Sequence, residues 1–254
     1  YFSRVDSSED CGVAPLPVVL NTRAARAAYR KAYPDLASAR FAFVRNSFDM
    51  GLFEGGEAGA GRQGEEAGAG DPFRIVYFGR FRRFRTSGVA AGMMAALRRV
   101  APDVARRAVL EVVGGAEGED RDVLAGAGAA GIRIVPAVPY RESMAVLRGA
   151  GVLLTTLAGG AGLQVPAKLY DYLASGRPIV ACADGEEIAG ILEETGAGAC
   201  VGAGDAEGAA RIVAQIARGE RRFDPLPEAV ARFGAPEMAR EIAGILTAVS
   251  QRPA

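Results

Sequence analysis

Short apolar runs rich in β-branched residues recur along the chain, with stretches of helical period between them. FRIVYF (73–78), AVLEVV (108–113), IRIV (132–135), GVLLTT (151–156) and PIVAC (178–182) predict strands. Between them SGVAAGMMAALRRV (87–100), EDRDVLAGAGAA (119–130), YRESMAVLRG (140–149), QVPAKLYDYLASG (164–176), EEIAGILEET (186–195) and AEGAARIVAQIARG (206–219) predict helices. Strand and helix in strict alternation imply an α/β fold: a Rossmann-like parallel sheet with helices on both faces.

Ahead of this block, PVVLNTRAARAAYRKAYP (17–34) reads as strand then helix, and ARFAFVRNSFD (39–49) as a strand entering a loop. These look like the tail of a preceding domain and its linker, over residues 1–53. EGGEAGAGRQGEEAGAGD (54–71) has no large apolar residue to bury and reads as a flexible loop. A ligand-binding domain is expected over 72–230. In the last segment, 231–254, Met238, Ile242, Ile245, Leu246 and Val249 form one stripe of a closing amphipathic helix. The chain begins at Tyr1 with nothing resembling a secretory signal, and reads as part of a longer protein.

Composition narrows the chemistry. Lys+Arg and Asp+Glu balance at 30 each, so no global charge recruits nucleic acid or an anionic membrane, and recognition must come from local clusters. There is no histidine, which excludes Ser-His-Asp, Cys-His and H-E-x-x-H sites built from these residues alone. Cys11, Cys182 and Cys200 show no C-x-x-C spacing and read as structural thiols in a reducing compartment. The longest uncharged run, 149–167, holds glycines, threonines and a proline, so it reads as strand plus loop and not as a membrane span.

Three motifs bear on function. GAGAAG (126–131) matches G-x-G-x-x-G, but it precedes a strand where a dinucleotide fingerprint follows one, so it reads as a helix end and turn. In FGRFRRFRTS (78–87), a strand ends at Gly79 and Arg80, Arg82, Arg83 and Arg85 follow. A loop beyond the carboxyl end of a parallel strand faces the ligand crevice, glycine lets backbone approach, and guanidinium forks take phosphate bidentately. A solvated basic face and a stacking surface for single-stranded nucleic acid are the weaker readings of the same residues.

In QVPAKLYDYLASG, Pro166 suits a first helical turn and Gly176 the left-handed position past the end. Leu169, Tyr172 and Leu173 form the buried stripe, with Lys168 and Asp171 on the neighbouring face. The plain reading of those charges is a surface ion pair. The helix head, however, follows a strand and the glycine-rich turn LAGGAGLQ (157–164), so its positive end and Asp171 face the crevice of the arginines. Together they describe a pocket for a nucleoside diphosphate, with the carboxylate suited to a ribose diol.

These residues resemble the C-terminal half of GT-B glycosyltransferases of the retaining, family-4-like kind. VVLNTRAARAAYRKAYP and FAFVRNSFD resemble the end of the acceptor domain and its N-G-[FY]-D linker, with Ser47 in place of the glycine. FGRFRRFRTS resembles the diphosphate-contacting element, with Arg80 and Arg85 at its two basic positions. The segment IVPAVPYRESMAVLRGAGVLLTT resembles the one whose loop meets the nucleotide base, which brings Val138 and Tyr140 near it. VPAKLYDYLASGRPIVA resembles the donor helix of the P-x-K-[LF]-x-E-Y subgroup.

Better-known members carry two glutamates eight positions apart; here Leu163 fills the first position and Asp171 the second. The resemblance implies transfer of a sugar from a nucleotide diphosphate sugar to a glycan or lipid-linked acceptor, as in polysaccharide assembly, with retention and neither cofactor nor metal. It implies catalytic roles for Arg80, Arg85 and Lys168, and substrate contacts from Gly79, Val138, Tyr140, Gly160, Gly162 and Asp171. The expected setting is cytoplasmic, peripheral at the inner membrane face, with no transmembrane segment and no nucleic acid partner. A nucleotide-sugar epimerase of the same fold and a domain that binds without turnover remain alternatives, and a dinucleotide oxidoreductase is the weakest.

Overall fold

A computed structural model describes residues 17–52, 72–81, 87–126, 131–157 and 162–251. A small first unit comprises β1 (Val18–Leu20), α1 (Arg23–Ala32) and β2 (Phe41–Phe43), with the two strands paired in parallel. Thr22 starts α1 because its backbone is extended and its hydroxyl accepts the Ala25 N–H at 3.0 Å. The loop expected over 54–71 lies outside the described residues.

The main sheet has six parallel strands: β3 (Phe73–Phe78), β4 (Ala108–Val113), β5 (Ile132–Val135), β6 (Val152–Thr156), β7 (Ile179–Cys182) and β8 (Gly198–Val201). The helices that connect and flank them are α2 (Ser87–Val100), α3 (Pro102–Ala105), α4 (Gly118–Gly126), α5 (Tyr140–Arg148), α6 (Lys168–Ser175), α7 (Glu186–Thr195) and α8 (Ala206–Ala217). The chain then runs through α9 (Pro227–Ala231) into α10 (Ala235–Ser250). The expected Rossmann-like α/β fold is the observed one.

Successive strand residues serve opposite faces. Ile75, Tyr77, Leu110, Val112, Val152 and Leu154 pack against Met93, Leu97 and Val213 on one side. Val76, Val113, Leu153, Ile179 and Ala181 meet Leu147, Leu169, Tyr172, Leu173 and Leu192 on the other. Burial on both faces is why these strands read as continuous apolar runs and not as alternating ones.

The strand order is β5-β4-β3-β6-β7-β8, so the winding reverses between β3 and β6. In such sheets the carboxyl ends of the two strands at the reversal diverge into a ligand crevice. The strand β8 is not predicted by the sequence pattern. Its GACV lacks large apolar residues, it is partly exposed along its length, and it pairs with β7 alone. The short α3 and α9, each opened by a proline, are too brief to show a helical period.

The closing helix forms as expected, yet none of its residues is buried. Its start is tied to the segment that follows β2 by a backbone bridge: Phe48 donates to the Phe233 carbonyl at 3.2 Å and Ala235 to the Phe48 carbonyl at 2.8 Å.

Candidate functional site

Two of the predicted loops open at the reversal point. The first leaves β3 through Gly79, whose φ of 99° lies in the region that favours glycine and whose outward side meets nothing within 4 Å. Its backbone is thus accessible to a ligand. Arg80 follows, exposed, and pairs with Glu117 at 3.3 Å. Arg85 and Gly160 lie outside the described residues, as do Arg82, Arg83 and most of GAGAAG.

The second element is α6, entered from β6. The amides of Leu169 and Tyr170 donate to the Pro166 and Ala167 carbonyls at 2.9 and 3.1 Å, a tight first turn that leaves Ala167 and Lys168 as the leading amides. Gly176, at φ 71°, ends the helix in the predicted left-handed cap. Leu169, Tyr172 and Leu173 are buried as the spacing requires. The two charges on the adjoining face take separate partners. The Lys168 side chain is itself buried and sets its Nζ 3.2 Å from the centre of the Tyr77 ring, which in turn stacks on Phe81 at 3.9 Å. Lys168 therefore reaches across to β3.

Asp171 accepts a hydrogen bond from the Tyr140 hydroxyl at 2.9 Å, across the α5–α6 contact. Burial pushes the Asp171 carboxyl above its ordinary value, against the lowering effect of the Tyr140 hydroxyl. The Tyr140 phenol is raised well above its ordinary value, by burial first and then by Asp171. Val138, two residues earlier, packs against the core on the α6 side. The structure thus joins two residues placed on separate segments by the sequence reading. Their spacing of 31 positions gives no local signal for that contact.

Three further features of the crevice are absent from the motifs. The Tyr172 hydroxyl accepts the Phe78 N–H at 2.8 Å and donates to the Leu154 carbonyl at 3.2 Å, bridging β3 and β6. At the carboxyl end of β6 the buried hydroxyls of Thr155 and Thr156 have no hydrogen-bond partner among the described residues. The first unit also reaches the glycine-rich turn: Thr22 Oγ1 donates to the Leu163 carbonyl at 2.7 Å, and the Glu187 carboxylate accepts the Arg23 N–H at 3.0 Å. A cavity of about 560 Å³ lies between the two parts, lined by Arg23, Phe43, Arg45, Gly162, Tyr170 and Glu187 among others.

Cys11 lies outside the described residues, and Cys182 and Cys200 stay apart from this chemistry. Cys182 is fully buried and burial pushes its thiol up to about 12; Cys200 is raised for the same reason. Neither forms a disulfide. The expected result of maleimide labelling at neutral pH is that Cys182 stays unmodified in the native protein and reacts on unfolding, read by intact mass.

Residues 72–218 match the family model described as Glycosyl transferases group 1. No curated protein matches the chain. Among solved structures, Anabaena HepE in complex with UDP-glucose is similar at 18% identity and TM-score 0.66, over 91% of this chain and 64% of that one. The α,α-trehalose-phosphate synthase (UDP-forming) of Burkholderia vietnamiensis is similar at 15% identity and TM-score 0.62, over 92% and 60%. The pneumococcal O-GlcNAc transferase GtfA in complex with UDP and GlcNAc follows at 13% and 0.61, over 92% and 45%. At these identities the likeness is one of fold, that of GT-B C-terminal domains. The chain spans between 45% and 64% of the length of these three proteins.

Proposed function

The chain belongs to the group 1 glycosyl transferases, and we propose that it transfers a sugar from a nucleoside diphosphate sugar to an acceptor, with retention, in the manner of family 4. The observation that carries this reading is the meeting, at the sheet's reversal point, of the carboxyl end of β3 with α6, through Phe78 on Tyr172 and Tyr77 on Lys168, just before Gly79 and Arg80. One side offers guanidinium and open backbone to phosphates. The other offers a helix head, a lysine and a carboxylate held by a phenol.

In this reading the departing diphosphate gains charge at the transition state, and Arg80, Arg85 and the α6 head stabilise what develops. Arg80 exchanges its Glu117 partner for phosphate, which two exposed side chains make inexpensive in free energy. Asp171 holds the ribose, oriented by Tyr140; it is not a base. Lys168 serves the distal phosphate or a sugar hydroxyl, with Gly162 and the neighbouring Gly160 approaching the sugar and Val138 the base. These positive groups carry the role a metal would otherwise fill, so no metal or cofactor is part of the mechanism.

Residues 1–53 are proposed as the tail of an acceptor domain and its linker. The cavity beside Gly162 is proposed as part of the acceptor side, with the acceptor base on residues beyond this chain. The setting proposed is the cytoplasmic face of a membrane; among the described residues no helix is long and apolar enough to cross one.

The likeness to proteins held with UDP or UDP-glucose supports UDP as the first nucleotide to try. Full-length protein given UDP-glucose, UDP-GlcNAc or GDP-mannose is expected to release nucleoside diphosphate, with the α-anomer in the product by NMR. Release of the β-anomer contradicts retention, and release of a free epimer contradicts transfer. One observation favours a second reading: Leu163, at the position of the first family acid, is 49% exposed and contributes its carbonyl, not a carboxylate, to the turn. Donor binding with no turnover by the full-length protein supports that binding-only alternative. For the assignment itself, Arg85→Ala is expected to weaken UDP binding about tenfold or more, read by calorimetry.

A further inference from the structure

The hydrogen-bond pattern around Tyr172 is that of a spacer inserted into a sheet. Strands β3 and β6 are paired only through Ile75 with Val152 and Val76 with Leu153, although both continue toward the crevice. By contrast, β3 pairs with β4 along all six residues. The remaining amides show which rung is missing. Gly79 N–H points to β4, onto the Val113 carbonyl, and Leu157 N–H points to β7, onto the Cys182 carbonyl. In a parallel ladder the Phe78 N–H then faces β6, and continuation of the register aims it at the Leu154 carbonyl. Those are the two groups that the Tyr172 hydroxyl occupies, at 2.8 and 3.2 Å. A direct rung would bring them to about 2.9 Å. With a phenol between them they are held apart, and each keeps a partner.

We propose that Tyr172 is a positioning residue that wedges β3 and β6 open at the sheet's reversal point and fixes α6 to both strands. The crevice width and the relation of Arg80 to Lys168 and Asp171 then follow from one side chain. No step of the chemistry touches it. The spacer role stands on the ladder geometry, while its consequence for the donor rests on the nucleotide-sugar reading above.

The test compares the wild type, Tyr172→Phe and Val104→Ala, the last a buried substitution at the amino-terminal side of β4 that destabilises without touching the crevice. In a crystal structure of Tyr172→Phe, Phe78 N and Leu154 O are expected to close to ladder distance, about 2.9 Å. UDP affinity at a temperature where all three are folded is expected to fall about tenfold or more in Tyr172→Phe and to stay within about twofold in Val104→Ala. If the two atoms remain apart without the hydroxyl, the spacer role is wrong, whatever binds. If they close and UDP affinity is unchanged, or Val104→Ala loses as much, the positioning role is wrong. A wild type that binds no UDP sinks the donor reading instead, and the measured distance alone then decides the spacer.

Discussion

Gly198→Ala is expected to cost about 2–4 kcal/mol, lowering Tm by roughly 10 °C in a thermal melt followed by circular dichroism. Gly198 opens the edge strand β8 opposite Ile179, and a Cβ built there would lie 2.0 Å from the Ile179 carbonyl oxygen and 2.8 Å from its carbon. Those are backbone atoms fixed by the ladder, so no side-chain rotation relieves the overlap. The alternatives are to break the pairing of β7 with β8 or to shift β7, whose other edge pairs with β6. Because β6 ends in the crevice, loss of donor affinity is expected to accompany the loss of stability. Gly190→Ala, where added volume meets nothing within 4 Å, is the matched control and is expected to be neutral or slightly stabilising.

Asp171→Asn is expected to move stability and binding in opposite directions. Burial raises the folded-state pKa of Asp171 above its ordinary value of 3.8, so the charged form is the one that costs. A carboxyl raised in this way adds stability in full below the unfolded pKa and loses it as pH rises through the folded one. At neutral pH the wild type carries that cost and asparagine does not, while Asn Oδ1 can still accept from Tyr140. The variant's Tm is therefore expected to exceed the wild type's near pH 7, with the gap closing as pH falls toward 4. Its affinity for UDP is expected to drop about tenfold, since the ribose diol loses a charged acceptor. Wild-type binding should itself weaken on acidification at a pH above that of an ordinary aspartate. A lower Tm for Asp171→Asn at neutral pH would show that the carboxylate is structural.

The sheet was legible because its central strands are buried on both faces, so Ile75, Val76, Leu153 and Ile179 read as uninterrupted apolar runs with helical periods between them. Helix α6 was legible for a local reason: Pro166 at its head, Gly176 past its end and the Leu169–Tyr172–Leu173 stripe are all sequence neighbours. The contacts that make it a site were not local. Tyr172 reads only as a core position in the pattern, and its hydroxyl matters because of a rung that β3 and β6 fail to make. Lys168 and Asp171 look like a surface pair by spacing; Tyr77 and Tyr140, from strands and helices far along the chain, give each another partner. Strand β8 was hidden by the same glycine that its packing demands.

The central claim is that the reversal point between β3 and β6 binds a nucleoside diphosphate through α6 and the arginine loop. Isothermal titration of UDP into the wild type and Asp171→Asn addresses it most directly. Saturable one-to-one binding that weakens about tenfold in the variant is the expected result. No binding of UDP, GDP or ADP to a folded wild type, or binding of equal strength to both proteins, would contradict it.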